Sequence, residues 1–362
     1  MLLILPFNNM QKRTYLLFLV GLLLCGLVVI GLFRTSEQIH QQQFYVFGTL
    51  VSISIWGVDA LKANEAINII AQDFQTLHHH WHAWHPSHLT DLNQAIADGK
   101  TWTVTDPSLL FLLTTAKRLY SKSDGLFNPA IGQLINLWGF QSDDFETQRP
   151  PPSTDQIAQL VALAPNMDDI EINSNQISSH NKAVQLDFGA LAKGYAVDLA
   201  IEKLREFGIQ HAIINAGGNL KAMGQKGENP WFIGIRHPSG QGVLAAVLVS
   251  GEESVITSGD YERFREYQGV RYSHILDPRD GKPVKGFTSV TVIDKRGILA
   301  DAASTALTVA GLSDWHRIAQ QMGVKYVMLV DEAGTVYLNP AMKARVIFST
   351  ETLPKMVVSE SL

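Results

Sequence analysis

The chain has 362 residues, a formal net charge of −5 and a sequence pI near 6.2. This charge argues against a nucleic-acid partner, because nucleic-acid-binding domains are typically basic. One cysteine in the whole chain excludes an internal disulfide framework and a cysteine-based metal cluster, and the length allows one large domain or two.

An apolar segment lies close to the amino end. Residues 15–33 are nineteen consecutive uncharged, mostly apolar residues, enough for a helix across the roughly 30 Å hydrocarbon core of a membrane. Lys12 and Arg13 precede the segment, so the positive-inside rule places residues 1–14 in the cytoplasm and the rest of the chain outside. We predict an uncleaved transmembrane anchor; a cleaved signal segment, or a lipidated Cys25, is the alternative.

A polar linker is predicted over residues 34–43, followed by a strand and a helix. Phe44 to Trp56 alternates between apolar and polar residues, with an interruption at Gly48-Thr49. Ala60 to His80 has helical periodicity and leads into half of the chain's histidines: His78, His79, His80, His82, His85 and His88. Such a cluster can bind a transition metal, but a solvated helix end without function is favoured, because no carboxylate or cysteine nearby completes a compact site.

The central stretch, Leu186 to Asp198, has the pattern of a strand-to-helix turn. Ala183 to Leu186 alternates as a half-buried strand does, and apolar residues recur at helical spacing from Tyr195 to Phe207. Between them, Asp187 and Lys193 flank glycines that allow a ligand to approach the backbone. These residues fit a turn that binds something charged, and they fit an ordinary turn with a solvated lysine equally well.

The last stretch whose side chains could take part in chemistry is Ala300 to Leu307, and its composition is strongly helical. Asp301 and Thr305 stand at positions i and i+4, which places a carboxylate and a hydroxyl on one helix face. Such a pair suits a hard cation such as Mg²⁺, which takes oxygen ligands. The alternative is an aspartate near a helix start that favours the helix dipole, with Thr305 merely packed.

Taken in order, these stretches resemble the FAD:protein FMN transferase family, also called the ApbE-type flavin transferases. The resemblance covers roughly residues 44–310 and rests on eight or nine motifs in the family's order. They are Gly48-Thr49, 87–93, 124–140, 186–198, 215–224, 233–235 with Pro238, 257–261, 274–283 and 300–307. One of these motifs alone is weak, whereas the ordered set is specific.

The resemblance implies an α+β fold with largely antiparallel sheets and two subdomains around a central cofactor cleft. The catalytic domain is then expected over residues 44–350, with a tail over 351–362. The implied reaction is Mg²⁺-dependent transfer of FMN from FAD to a Thr or Ser hydroxyl of an acceptor protein, which releases AMP. With the anchor, we expect a single-pass protein of a bacterial inner membrane, whose periplasmic domain modifies flavoprotein subunits of membrane electron-transfer complexes.

The resemblance also assigns site residues. Asp301, Thr305 and the backbone oxygen of Ala190 are expected to hold Mg²⁺. Lys193 is expected to neutralise charge on FAD, and His274 is the candidate base for the attacking hydroxyl, with a structural histidine as the alternative. The expected FAD contacts are Phe47, Trp84, Leu126, Phe127, Asn128, Asp187, Lys193 and Ile275.

Three positions depart from the family pattern, and one of them is Ala130, which stands where the family usually has a threonine. Asn128 replaces the usual aspartate of the early loop, which keeps hydrogen bonding and loses the charge. Phe47 replaces the usual methionine before Gly-Thr, an apolar exchange at a ring-packing position. Two other functions fit the same motifs: a Mg²⁺-dependent FAD pyrophosphatase giving FMN and AMP, and a membrane-tethered flavin-binding protein without turnover.

Overall fold

The structure is a computed structural model that describes residues 39–142, 149–239, 242–349 and 353–362. Within these ranges the helices are α1 (Ala60–His80), α2 (His88–Asp98), α3 (Pro107–Lys122), α4 (Gly132–Leu137), α5 (Thr154–Ala162), α6 (Ala192–Glu206), α7 (Gly297–Met322) and α8 (Pro340–Lys343). A short 3-10 helix covers Met167–Asp169.

The strands in the described ranges are mostly short. They are β1 (Ile39–Val46), β2 (Thr49–Trp56), β3 (Trp102–Thr103), β4 (Ile170–Asn173), β5 (Gln176–Ser179), β6 (His211–Ala216), β7 (Asn219–Met223), β8 (Trp231–Arg236), β9 (Val243–Val249), β10 (Glu253–Gly259), β11 (Phe264–Tyr267), β12 (Val270–Ser273), β13 (Phe287–Asp294), β14 (Tyr326–Asp331), β15 (Val336–Leu338), β16 (Val346–Phe348) and β17 (Met356–Val358).

The centre of the fold is a nine-stranded sheet in the order β1-β2-β6-β7-β10-β13-β14-β15-β17. Its neighbouring strands pair antiparallel except β15 and β17, which are parallel. Side chains of a strand alternate between two faces, and each face is covered differently. Helices α1, α6 and α7 pack on one face, and the three-stranded sheet β16-β9-β8 covers the other through residues such as Ile233 and Val247. The predicted α+β class with antiparallel sheets is confirmed, whereas the division into two subdomains stays a prediction.

Both ends of the predicted catalytic domain are longer than the sequence indicated. Residues 39–43, predicted as linker, belong to β1, which pairs with β2 in a hairpin. The interruption at Gly48-Thr49 is the tight turn of that hairpin, where Phe47 and Gly48 have φ of 55° and 68°. At the other end, the predicted tail contributes β17 to the main sheet. Neither strand was predicted from the sequence, because β1 contains many polar residues and β17 is short. Edge strands can have such sequences, since they need only one buried face.

The prediction of a strand over Ala183 to Leu186 is wrong. Ala183 lies in a turn, and the segment makes only an isolated bridge, from Gln185 to Ile131. The backbone of Leu186 is hydrogen-bonded to a side chain instead of a strand. The Asn93 side chain accepts from the Leu186 N–H at 2.7 Å and donates to the Leu186 carbonyl at 2.9 Å. A side-chain amide thus replaces a neighbouring strand, which explains why alternating burial occurs without a sheet.

The described residues include no helix with the length and hydropathy needed to span a membrane. The anchor predicted at residues 15–33, with the flanking residues 1–14, lies outside the described part of the chain.

Candidate functional site

A cleft of about 1240 Å³ opens between the hairpin turns of the main sheet and the loops before α2, α4 and α6. Every residue assigned above to FAD, to metal or to catalysis lines it, although these residues are far apart in the sequence. They are Phe47, Trp84, Leu126, Phe127, Asn128, Asp187, Ala190, Lys193, His274, Ile275, Asp301 and Thr305. Their roles stay predictions; their common location is a property of the fold.

The central stretch and the late helix meet directly at two glycines. A Cβ on Gly194 would lie 2.4 Å from the Gly297 carbonyl oxygen, and a Cβ on Gly297 would lie 2.5 Å from that of Gly194. No other residue fits at such a distance, so α6 and α7 touch backbone to backbone. At this contact the Gly194 N–H donates to Asp301 Oδ2 at 2.8 Å.

A second contact from α6 holds the start of α7. The Asp198 carboxylate accepts from the N–H groups of Gly297 and Ile298 at 2.8 and 3.0 Å, which caps the helix from outside. Lys221 donates to Asp198 Oδ1 at 2.6 Å. Burial raises the pKa of Asp198, and Lys221 opposes that shift. Asp198, the last residue of the central stretch, therefore positions the helix that carries Asp301.

The oxygen groups of Ala190, Asp301 and Thr305 fit a divalent cation. Asp301 is buried, with 3% of its surface exposed, and its Oδ2 is used by Gly194. Neither its Oδ1 nor the Thr305 hydroxyl is hydrogen-bonded to any described residue. A carboxylate, a hydroxyl and a backbone carbonyl are ligands that Mg²⁺ accepts. The donor set of this cleft therefore suits the predicted ion.

Asp187 and Lys193 form hydrogen bonds within the protein that the sequence did not indicate. Asp187 accepts from the N–H of Gly189 and from the side-chain amide of Gln141, both at 2.9 Å. The Lys193 ammonium donates to the Gly189 carbonyl at 3.0 Å. Each carboxylate oxygen can accept a second hydrogen bond, and an ammonium has three donors, so both groups can still bind a ligand.

His274 has one ring nitrogen committed to the backbone. Its Nδ1 lies 2.8 Å from the Arg263 carbonyl, which can only accept, so the proton is on Nδ1 and Nε2 is the basic nitrogen. Burial, together with the charges of Arg263 and Lys193, lowers the pKa of His274 to about 4. The imidazole is therefore neutral at neutral pH and able to accept a proton.

Aromatic side chains form one wall of the cleft. Phe47 stacks on Trp81 at 6.4 Å between ring centroids, with 15° between the ring planes. Farther along, the Arg263 guanidinium lies over the Trp84 ring, 5.6 Å from its centroid. The Trp84 indole N–H is buried without an acceptor among the described residues. These rings line the cleft, where they can pack against a planar ligand.

The early loop is less available to a ligand than predicted. Phe127 is 1% exposed and belongs to the hydrophobic core. Asn128 donates to the Pro165 carbonyl at 2.9 Å and accepts from the Ala130 N–H at 3.1 Å. An aspartate carboxylate has no N–H and cannot donate to the Pro165 carbonyl. The hydrogen bonding of this loop therefore favours asparagine at position 128.

Charged groups that the sequence analysis did not assign also line the cleft. Burial raises the pKa of Glu262 to about 7, although Lys193 and Arg236 oppose the shift. Its neighbour Tyr261 has a pKa raised to about 12, again through burial. The run Asp-Tyr-Glu-Arg, directly after a strand that ends in glycine, was the available signal, because charged residues on loops often serve a site.

Comparison with known proteins identifies the family. The model of the ApbE family matches residues 47–328. A FAD:protein FMN transferase of Rhodobacter capsulatus is 43% identical over 336 residues, which are 92% of this chain and 63% of that protein. This chain thus spans less than two thirds of that relative's length. A protein of the same description from Vibrio cholerae is 30% identical over 65% of this chain and 71% of its own length.

Solved structures agree with these sequence relatives. An ApbE protein from Thermotoga maritima superimposes with a TM-score of 0.77 and 29% identity, covering 87% of this chain and all of that one. The flavin transferase ApbE from Vibrio cholerae gives a TM-score of 0.73 and 25% identity, with 85% of this chain and 100% of its own covered. The family predicted from the ordered motifs is confirmed: the chain belongs to the ApbE family, as do the FMN transferase of Rhodobacter capsulatus and the flavin transferase of Vibrio cholerae.

Proposed function

We propose that this chain transfers FMN from FAD to a Thr or Ser hydroxyl of an acceptor protein in a Mg²⁺-dependent reaction. The hydroxyl oxygen bonds to the phosphorus on the FMN side of the diphosphate, the bond to the bridging oxygen breaks, and AMP leaves with that oxygen. One observation carries the proposal. Residues from eight of the nine motifs line a single cleft, which joins an aromatic wall, an all-oxygen donor set and a neutral imidazole.

Each part of the cleft has a defined task in this reaction. The wall of Phe47, Trp81 and Trp84 offers ring faces to the isoalloxazine. Lys193 places positive charge beside the central turn, where it offsets the charge of the diphosphate. His274 Nε2 takes the proton of the attacking hydroxyl, and the Nδ1–H bond to Arg263 holds the ring in the required tautomer.

Ala190, Asp301 and Thr305 would hold the Mg²⁺. When bound, such an ion neutralises the charge that develops on the leaving phosphate. Asp301 has a second task without the ion, because its bond to Gly194 fixes the central turn relative to α7.

Intact-mass analysis of an acceptor tests the reaction. The full-length protein, purified in detergent, is incubated with FAD, Mg²⁺ and a flavoprotein subunit that carries an exposed Thr or Ser. We expect the acceptor to gain the mass of FMN less one water molecule, which is the mass of FAD minus that of AMP, while AMP appears in equal amount. AMP without that gain indicates a pyrophosphatase, and unchanged FAD indicates a binding protein; either result refutes the transferase.

The acid limb of the pH–rate profile tests His274. Because the pKa of its imidazole is about 4, we expect kcat/KM to stay constant down to about pH 5, where an ordinary histidine would already be protonated. The profile is measured in the Glu262→Gln variant, so that the carboxyl whose pKa is about 7 does not contribute. A half-maximal rate near pH 6.5 would show that His274 is not the base or is not desolvated.

We further propose that residues 15–33 anchor the protein in a bacterial inner membrane, with the catalytic domain in the periplasm. The uncharged run and the preceding Lys12 and Arg13 support this placement. Acceptors would then be periplasmic flavoprotein subunits of membrane electron-transfer complexes. Protease added to spheroplasts should digest the catalytic domain, and the mass of the mature protein should show an uncleaved amino end. A domain protected until the membrane is lysed would contradict the placement.

A further inference from the structure

Two histidines and an aspartate from three different helix ends converge beside the cleft. His80 ends α1, His88 begins α2, and Asp106 is the residue before α3. Asp106 Oδ2 lies 3.0 Å from His80 Nδ1 and 3.7 Å from His88 Nδ1. All three ligand atoms lie within 4.8 Å of one another. The carboxylate that the sequence analysis did not find near the histidines is therefore present in space.

One nitrogen of the cluster has no hydrogen-bond partner in the described part of the chain. His88 Nδ1 is buried and has no hydrogen-bond partner among the described residues, since Asp106 Oδ2 at 3.7 Å is too far. The two imidazole rings stack with centroids 4.2 Å apart.

The carboxylate is oriented so that one oxygen stays directed at the histidines. Asp106 Oδ1 accepts from the Ser108 backbone N–H at 2.9 Å and from the Ser108 hydroxyl at 2.7 Å. Helix capping thus fixes the aspartate and leaves Oδ2 toward His80 and His88. Of the three side chains, Asp106 is the most buried, at 9% exposure.

We propose that His80, His88 and Asp106 form a binding site for a transition-metal ion of the Zn²⁺ class. Two imidazole nitrogens and one carboxylate oxygen, with water as a fourth ligand, are a common Zn²⁺ set, and nitrogen ligands distinguish it from the all-oxygen set at Asp301. The ion would give His88 Nδ1 the partner that it lacks.

The position of the cluster gives the ion a structural role. It joins the end of α1 to the starts of α2 and α3, and the segment between His80 and His88 carries Trp81 and Trp84 of the cleft wall. Ser108, which anchors Asp106, also accepts from the Trp81 indole N–H at 3.0 Å. A bound ion would therefore hold the aromatic wall in position from the side away from the cleft. It would not contact a ligand in the cleft.

Calorimetric titration of Zn²⁺ into the chelator-stripped, full-length protein tests the site. The buffer contains Mg²⁺ in excess, which occupies oxygen-rich sites. Three variants remove a ligand: His80→Ala, His88→Ala and Asp106→Asn. The last keeps the helix cap, because asparagine caps as well as aspartate does. His79→Ala is the matched control, since His79 is an exposed neighbour outside the cluster.

We expect one equivalent of Zn²⁺ in the wild type and in His79→Ala. Each ligand variant should bind at least about 100-fold more weakly, since even changes behind a ligand cost 10- to 100-fold. Equal affinity in the wild type and the three variants would overturn the proposal, because the ion would then be held by other histidines. An equal loss in His79→Ala would overturn it as well, since it would indicate diffuse binding to the histidine-rich segment.

Discussion

Asp301→Asn is expected to lower Mg²⁺-dependent FMN transfer by about 10³-fold, because removal of a metal ligand costs several kcal/mol of transition-state stabilisation. Asparagine is the informative substitution. Its side-chain oxygen can still accept the hydrogen bond from Gly194, so the contact between α6 and α7 is retained while the negative charge is lost. The rate is measured as FMN incorporated into the acceptor at saturating FAD.

An exposed carboxylate provides the control for Asp301. Glu202→Gln removes a negative charge from an exposed position of α6, the helix that contacts α7, and lies outside the cleft lining. Its transfer rate should respond to Mg²⁺ as the wild type does. Wild-type Mg²⁺ dependence in Asp301→Asn would show that the ion is held elsewhere.

Gly194→Ala is expected to lower both stability and activity. The added methyl group would lie 2.4 Å from the Gly297 carbonyl oxygen, which is backbone and cannot move alone. Overpacking of this kind costs typically about 1–3 kcal/mol, although alanine by itself favours a helix over glycine by up to about 1 kcal/mol. Separation of the two helices by about 1 Å should also lower the transfer rate by about 100-fold.

Urea unfolding followed by circular dichroism measures the first effect, and the transfer assay at low temperature measures the second. Glu202→Ala, at an exposed position of α6, is the control and should leave both unchanged. Gly297→Ala should reproduce the loss, because it enters the same contact from the other side. An unfolding midpoint of Gly194→Ala at or above the wild-type value would show that the helices separate freely and do not fix the site.

Helices and central strands were predictable because their hydrophobic periods are long and strong. The helix Ala60–His80 was predicted with the bounds that the structure has. The failures occur where a strand depends on its neighbours. Residues 39–43 and 356–358 are edge strands with little apolar pattern, and Ala183 to Leu186 has the pattern but bonds to the Asn93 side chain instead of a strand.

The site was predictable through its ordered motifs, not through single residues. Asp301 and Thr305 share a helix face in the sequence, yet the close approach of Gly194 and Gly297 depends on two helices that are far apart in the chain. The same limit applies to Asp106, which completes the histidine cluster only in three dimensions. The pKa of His274 likewise depends on burial by loops that the sequence does not bring together.

Anomalous diffraction from crystals soaked with FAD and Mn²⁺, in place of Mg²⁺, tests the central claim most directly. We predict an anomalous peak at about 2.0–2.2 Å from Asp301, Thr305 and the Ala190 carbonyl oxygen, with the diphosphate of FAD as a further ligand. The ion would then bridge the central stretch and α7. A peak confined to His80, His88 and Asp106, or a diphosphate bound away from α7, would contradict the account.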